Sequence, residues 1–227
     1  MSDNMKVIAK IYTDFKEKFG IPRQSGLVST LESRIVFEPK YRNSDALRGI
    51  EEYSHLWILW KFSEVPENEK FNPTVRPPRL GGNKKMGVFA TRSPYRPNPI
   101  GLSSVKLLRL EETDEGTVLI VSGADMLNGT PIYDIKPYLP YTDIHSDAVG
   151  GFADEKLSYK LEVEFPEELL IKIPESKREG LIELLSEDPR PSYIEDSERV
   201  YGFNFSEFEI KFKVKENKLK VTAVIRL

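Results

Sequence analysis

Between residues 6 and 140 the chain offers short β-rich segments joined by long, proline-bearing connections. No amphipathic stretch there is long enough for a crossover helix. Parallel strands need crossovers of about a dozen residues or more. A doubly wound parallel sheet is therefore excluded, which leaves a mostly antiparallel sheet, closed or sandwiched. Residues 6–13, 34–37, 86–90, 103–110 and 117–121 alternate or are rich in β-formers, and each reads as a strand. Residues 55–62 are apolar on both faces, which marks an interior strand with Trp57 and Trp60 in the core. Just before them, Ser44 or Asp45 is placed to cap a short helical turn reaching Arg48.

The texture changes near Gly150-Gly151, and a division into residues 1–152 and 153–227 is expected. Beyond it the balance turns acidic. Ser176-Lys-Arg-Glu179 has the spacing of a capping box, opening a helix whose inner face carries Leu181, Ile182, Leu184 and Leu185, and Asp188-Pro189 ends it. Residues 205–215 and 219–227 read as a hairpin turning near Glu216-Asn217, with Lys211, Lys213 and Lys215 alternating with Phe212 and Val214. The tail is thus a small α+β unit.

The 227 residues contain no cysteine, which excludes disulfides and thiolate chemistry within the chain. His55 and His145 are its two histidines, without metal-ligand spacing, so no metal is expected. With no apolar run of membrane-spanning length and no signal-like N-terminus, the expected compartment is the cytoplasm.

Charge supplies the first functional hint. The formal net charge is -3, yet from Lys70 to Leu110 the chain carries Lys70, Arg76, Arg79, Lys84, Lys85, Arg92, Arg96, Lys106 and Arg109 without one carboxylate. Prolines and glycines stiffen or sharply turn the same stretch, so its guanidinium groups lose little entropy in gripping an anion. A phosphate-bearing ligand fits, most simply RNA. The usual nucleotide signatures, G-x-G-x-x-G after a strand and G-x-x-x-x-G-K-[ST], are missing. Ser93, Ser103 and Ser104 lack a nucleophile elbow, and Asp143, His145 and Asp147 read as a solvated loop. Two rigid polar loops stand out: residues 20–27, and residues 125–140 with their Asn128-Gly129 turn, Asp134 and Lys136.

Together these segments resemble one family, the TsaA-like or TrmO tRNA methyltransferases. The resemblance rests on Ile21-Pro-Arg-Gln-Ser-Gly-Leu-Val28, Arg48-Gly-Ile, Ser54-His-Leu-Trp57 and Val75-Arg-Pro-Pro-Arg-Leu-Gly-Gly82. It continues through Gly87-Val-Phe-Ala-Thr-Arg-Ser-Pro-Tyr-Arg-Pro-Asn-Pro-Ile-Gly-Leu102 and Gly129-Thr-Pro-Ile-Tyr-Asp-Ile-Lys-Pro-Tyr-Leu-Pro140. The tail resembles bacterial members through Asp188-Pro-Arg-Pro-Ser-Tyr193 and Tyr201-Gly-Phe-Asn204.

What the resemblance implies is a mainly β protein: an antiparallel β-barrel domain that binds the cofactor, with a small C-terminal α+β domain. It implies a homodimeric enzyme transferring methyl from S-adenosylmethionine to N6 of N6-threonylcarbamoyladenosine beside the anticodon of tRNA. By similarity the cofactor is held by Pro22, Arg23, Gln24, His55, Leu56, Arg92, Leu102, Asn128, Gly129, Thr130 and Pro131. Many members carry Asp-Gly-Thr-Pro where this chain has Asn128, which keeps the acceptor oxygen and loses a charge.

The ureido nitrogen is a poor nucleophile until its proton leaves, so a proton acceptor is needed. Asp134 is the first choice for that role or for balancing the sulfonium charge, and His55 the second. For the anticodon stem-loop, Arg76, Arg79, Lys84, Lys85, Tyr95 and Arg96 are the expected contacts. Arg92 and Arg96 are assigned to phosphate or cofactor carboxylate, and Tyr95 or Phe89 to base stacking. The rival readings are a non-catalytic RNA-binding module on the same barrel and a hydrolase acting on a phosphorylated small molecule.

Overall fold

The computed structural model describes residues 5–65, 71–77, 84–156, 159–190 and 196–227. In its first part the strands are β1 (Ala9–Tyr12), β2 (Glu32–Phe37), β3 (His55–Lys61), β4 (Thr74–Val75), β5 (Met86–Gly87), β6 (Ile100–Thr113), β7 (Gly116–Ser122) and β8 (Thr130–Pro137). Six of them pair antiparallel in the order β1-β2-β7-β6-β3-β8, and β8 pairs back onto β1, closing a barrel. The remaining two, β4 and β5, form a separate ribbon.

Alternation along β3 decides what faces where. Leu56, Ile58 and Trp60 point into the barrel and are buried, whereas His55, Trp57 and Leu59 face outward. Inside, Ile11, Ile35, Val105, Leu119 and Ile132 pack against them. Trp60 lies across Gly101, where an added Cβ would come within 2.2 Å of the indole, so only glycine admits the ring.

Four local expectations in this part of the chain need correction. Residues 130–137, read as a loop, are the strand that closes the barrel. Pro131 sits one residue from its start and Pro137 ends it, and a bulge around Tyr133 shifts the register on β3. Of residues 86–90 only Met86–Gly87 is strand; Val88–Ala90 is a 3-10 turn held by Val88 N–H on the Pro73 carbonyl at 2.9 Å. The turn Ser44–Leu47 is capped by Asn43, whose side chain accepts from Asp45 N–H. Trp57 is not core. It is half-buried on the outer wall against Tyr138, centroids 5.4 Å apart, and donates to Asp143 Oδ2 at 2.8 Å.

After α1 (Pro140–Asp143) and a 3-10 turn at Gly151–Lys156 comes a second sheet. It holds β9 (Glu162–Glu164), β10 (Tyr201–Phe205), β11 (Phe208–Lys215) and β12 (Lys218–Arg226) in the order β10-β11-β12-β9, with β9 parallel to β12. The hairpin turns at Glu216-Asn217 as its pattern predicts. Beside it lie α2 (Glu167–Leu170) and α3 (Glu175–Ser186). Helix α3 begins at Glu175 behind Pro174 with no side-chain cap, so Ser176 lies inside the first turn and the capping box does not form. Leu181, Leu184 and Leu185 bury against Phe203, Phe205 and Phe212.

The β1–β2 connection crosses from one sheet to the other. Its Phe15, Val28 and Leu31 are part of the second sheet's core, and Phe15 bridges to Phe205. Gly20, at φ +88°, lets the chain turn under the Phe203 ring.

Candidate functional site

The β1–β2 connection carries Pro22, Arg23 and Gln24 to the barrel end where β7 stops, pinned by Gly26 N–H on the Gly123 carbonyl at 2.9 Å. Pro22 is buried. Gln24 accepts through Oε1 from Arg92 Nη1, joining two of the sequence motifs. Arg23 turns the other way and donates to the carbonyls of Asp188 at 3.0 Å and Arg190 at 3.3 Å. Those residues form a buried, bidentate ion pair, with Tyr159 donating to Asp188 at 3.1 Å.

Beside Gln24 and Arg92 lies a carboxylate that the sequence reading passed over. Asp125 follows β7 and accepts from Ser103 Oγ, which itself accepts from Trp60 Nε1 at 2.9 Å. Burial pushes the Asp125 carboxyl above its usual range, while the Ser103 hydroxyl, its own and the Ser25 amides, and the Arg92 charge pull it back down. A perturbed acid among loops from distant parts of the chain is a mark of a functional site. In the sequence the only trace was its position four residues before the Gly-Thr-Pro turn. Nearby backbone leaves room: a Cβ at Gly26 or Gly129 would meet nothing within 4 Å.

Asn128 accepts from Thr13 N–H at 3.0 Å and donates its own N–H to Phe15. Its side chain thus acts as an acceptor that fixes the turn, a task asparagine performs as well as aspartate. Gly129 follows at φ +80°, Thr130 is buried, and Pro131 pairs with Lys10.

The two proton-acceptor candidates lie on the outer wall formed by β6, β3 and β8. Leu102, Leu59 and Asp134 form one cross-strand row, with Leu102 exposed. Asp134 Oδ2 pairs with Lys136 Nζ at 2.9 Å, and Oδ1 accepts from Ile135 N–H. His55 is four positions from Leu59, about 13 Å along the strand. It is exposed, with Nδ1 2.9 Å from Ser54 Oγ and its ring beside Tyr138. The structure therefore brings together Gln24, Arg92 and Asp125, and separately Leu102 and Asp134, but does not join His55 to either group within one chain. Leu56, fully buried in the barrel, offers a ligand only its main chain.

Arg76, Lys84, Lys85, Arg92 and Tyr95 are exposed around the β4–β5 ribbon and the turn after it. Arg79 lies outside the described residues. Arg96 donates to the carbonyls of Val88 at 3.2 Å and Thr91 at 2.7 Å, so its guanidinium is engaged by the main chain. Arg109, of the same basic stretch, is taken by Glu32 and Glu111 at 2.8 Å each. Among the described residues no group of acidic or histidine side chains is arranged to hold a metal, and no helix is long and apolar enough to cross a membrane.

Residues 10–144 match the family described as tRNA-methyltransferase O N-terminal domain, and residues 158–227 match the TrmO C-terminal domain. The tRNA (adenine(37)-N6)-methyltransferase of Escherichia coli K12 is 38% identical, covering 96% of this chain and 95% of its own length. Its counterpart in Eikenella corrodens is 44% identical over 76% of this chain and 97% of its own length. A crystal structure of TrmO from Pseudomonas aeruginosa aligns with a TM-score of 0.80 at 32% identity, covering 100% of this chain and 98% of that one.

Proposed function

Since this chain belongs to the TrmO family and is an S-adenosylmethionine-dependent tRNA (adenine-N6) methyltransferase, we propose that its substrate is tRNA already carrying N6-threonylcarbamoyl on the adenine beside the anticodon. The observation that carries the reading is the pairing of opposite charges at one barrel end: the Arg92 guanidinium held to Gln24, and the Asp125 carboxylate beside it. S-adenosylmethionine has a carboxylate at one end of its amino-acid arm and cationic ammonium and sulfonium groups nearby, so this residue set fits it. When bound it supplies an electrophilic methyl group.

Arg92 and Gln24 hold the cofactor carboxylate, and Asp125 faces its positive charge. The residues 128–131 turn, Pro22, Leu102, His55 and Leu56 complete the proposed cofactor contacts. Arg23 acts behind them by tying the loop to the Asp188–Arg190 pair. Asp134 takes the substrate N–H proton, with His55 as the second choice. Arg76, Arg79, Lys84, Lys85 and Tyr95 meet the anticodon stem-loop. Residues 1–152 form the catalytic unit and 153–227 the α+β appendage. The enzyme works as a homodimer in the cytoplasm, and the separation of His55 from Arg92 within one chain is compatible with a site using both subunits.

The deciding experiment offers labelled S-adenosylmethionine with threonylcarbamoylated tRNA and with unmodified transcript. Transfer to the modified tRNA alone is expected. Binding of both tRNAs without transfer would support the non-catalytic RNA-binding module instead. Near-normal turnover of Asp134→Asn, with cofactor binding unchanged, would remove Asp134 as proton acceptor.

A further inference from the structure

Two phenylalanines stand in solvent where a folded chain would normally bury them. Phe89 is 70% exposed and Phe71 53%, their rings stacked at 6.1 Å between centroids and 24° between planes. Exposed rings cost hydrophobic free energy unless a partner covers them. These two are also held in place. The turn bearing Phe89 is anchored by buried Val88, whose N–H binds the Pro73 carbonyl two residues beyond Phe71. Arg96 lies 5.6 Å from the centre of the Phe89 ring, fixed by its bonds to the Val88 and Thr91 carbonyls. A rigid aromatic surface loses little ordering entropy on binding a flat partner.

We propose that Phe71 and Phe89, braced by Arg96, are a stacking platform for an unpaired nucleobase of the anticodon loop. The proposal rests on reading the protein as a tRNA methyltransferase, and adds where and how the loop is held. Charge selects the occupant. Arg76, Lys84 and Lys85 are exposed around these rings in sequence, and none forms an ion pair with a carboxylate among the described residues. By contrast, four of the five lysines in the second sheet's strands, Lys211, Lys213, Lys218 and Lys220, each pair with a glutamate. Single-stranded RNA brings phosphates to the cations and bases to the rings together. An acidic protein would satisfy only the cations, and a second copy meeting this patch with its own would bring like charge.

Stacking and phosphate contact differ in salt dependence, which makes the platform testable. Affinity for an anticodon stem-loop and for a plain duplex of equal length is measured across salt concentrations. Phe71→Ala and Phe89→Ala are each expected to weaken stem-loop binding about tenfold at every salt concentration, with the slope unchanged. Duplex binding should stay as it was. Lys84→Ala with Lys85→Ala should instead flatten the slope for both RNAs. Phe89→Leu, which keeps apolar bulk, should behave like Phe89→Ala.

Unchanged stem-loop affinity in both phenylalanine variants would overturn the proposal, as would an equal loss on duplex. A shift of either variant to a smaller sedimenting species would also overturn it and assign the rings to self-association. If the wild-type protein methylates modified tRNA while these variants bind normally, the platform alone fails. If the wild type binds the loop through these rings but transfers no methyl group, the enzymatic reading fails and the platform stands.

Discussion

Ser103 links Trp60 to Asp125, its hydroxyl accepting from the indole inside the barrel and donating to the carboxylate at the rim. The barrel interior thereby fixes a group that faces the candidate cofactor loops. Burial raises the Asp125 pKa, so the folded state holds that proton more tightly than the unfolded chain does. For a group shifted upward, the stabilising contribution is complete below the unfolded value and is lost as pH rises through the folded one. At neutral pH the ionised carboxylate is therefore a liability to the fold. Asp125→Asn, which keeps the acceptor oxygen for Ser103, is expected to raise the melting temperature at pH 7, with the gain shrinking toward acid pH. The same variant should bind S-adenosylmethionine at least tenfold more weakly, by the loss of a partly enclosed charge partner worth roughly 1.4 kcal/mol or more. Thermal melts across pH and cofactor titration check the two effects separately.

Glu32 shows the opposite sign. Hydrogen bonds from Arg109 hold its carboxyl below the usual range, against a smaller opposing effect of burial. A lowered pKa contributes stability that is present above the unfolded value and lost as pH falls through the folded one. Arg109→Ala should therefore lower stability at neutral pH and cost nothing once the solution is acid enough to protonate Glu32. Both side chains are about half exposed, so added salt should shrink the neutral-pH difference. Denaturant midpoints at neutral and acid pH, with and without salt, would show it.

This pair also marks where the sequence misleads. A stretch without carboxylates suggested nine available cations, but Glu32 reaches Arg109 from a neighbouring part of the barrel wall. Arg96 is likewise absorbed by backbone carbonyls. Strand β6, with its apolar alternation, and β7, a continuous run of aliphatic and β-branched residues, were legible because those patterns are local. Strand β8 was not, since Pro131 and Pro137 look like breakers until one sees them at the strand's two ends. Asp125 was hidden for a related reason: the groups around it are Ser103, Ser25 and Arg92, none of which is its sequence neighbour. Family motifs pointed to Gln24 and Arg92, and the fold joins them, but Arg23 beside them faces the second sheet.

Gly20 gives a sharp test of how tightly the loop is seated. Its φ of +88° disfavours any side chain, and a Cβ there would fall 2.3 Å from the Phe203 ring. Phe203 is itself packed in the core and cannot retreat easily. Gly20→Ala is expected to cost roughly 2–4 kcal/mol from backbone strain and overpacking together. Equilibrium unfolding in urea measures it, and a loss below about 1 kcal/mol would mean that the loop shifts freely on the sheet.

The Asp188–Arg190 pair extends that argument from stability to cofactor binding. Asp188 is fully buried and Arg190 nearly so, and their bidentate contact sets the two carbonyls that receive Arg23. Asp188→Asn leaves a buried guanidinium without its counter-charge, a change worth about 3–5 kcal/mol of stability. Arg23→Ala removes the tether and spares the ion pair, so its effect on unfolding should be small. If the loop's aim depends on the tether, Arg23→Ala should still weaken S-adenosylmethionine binding several-fold, because Gln24 would no longer present its oxygen to Arg92 at a fixed place. Calorimetric titration of Arg23→Ala, beside its unfolding curve, separates positioning from stability. A normal cofactor affinity in that variant would show that Gly26 on Gly123 suffices to hold the loop.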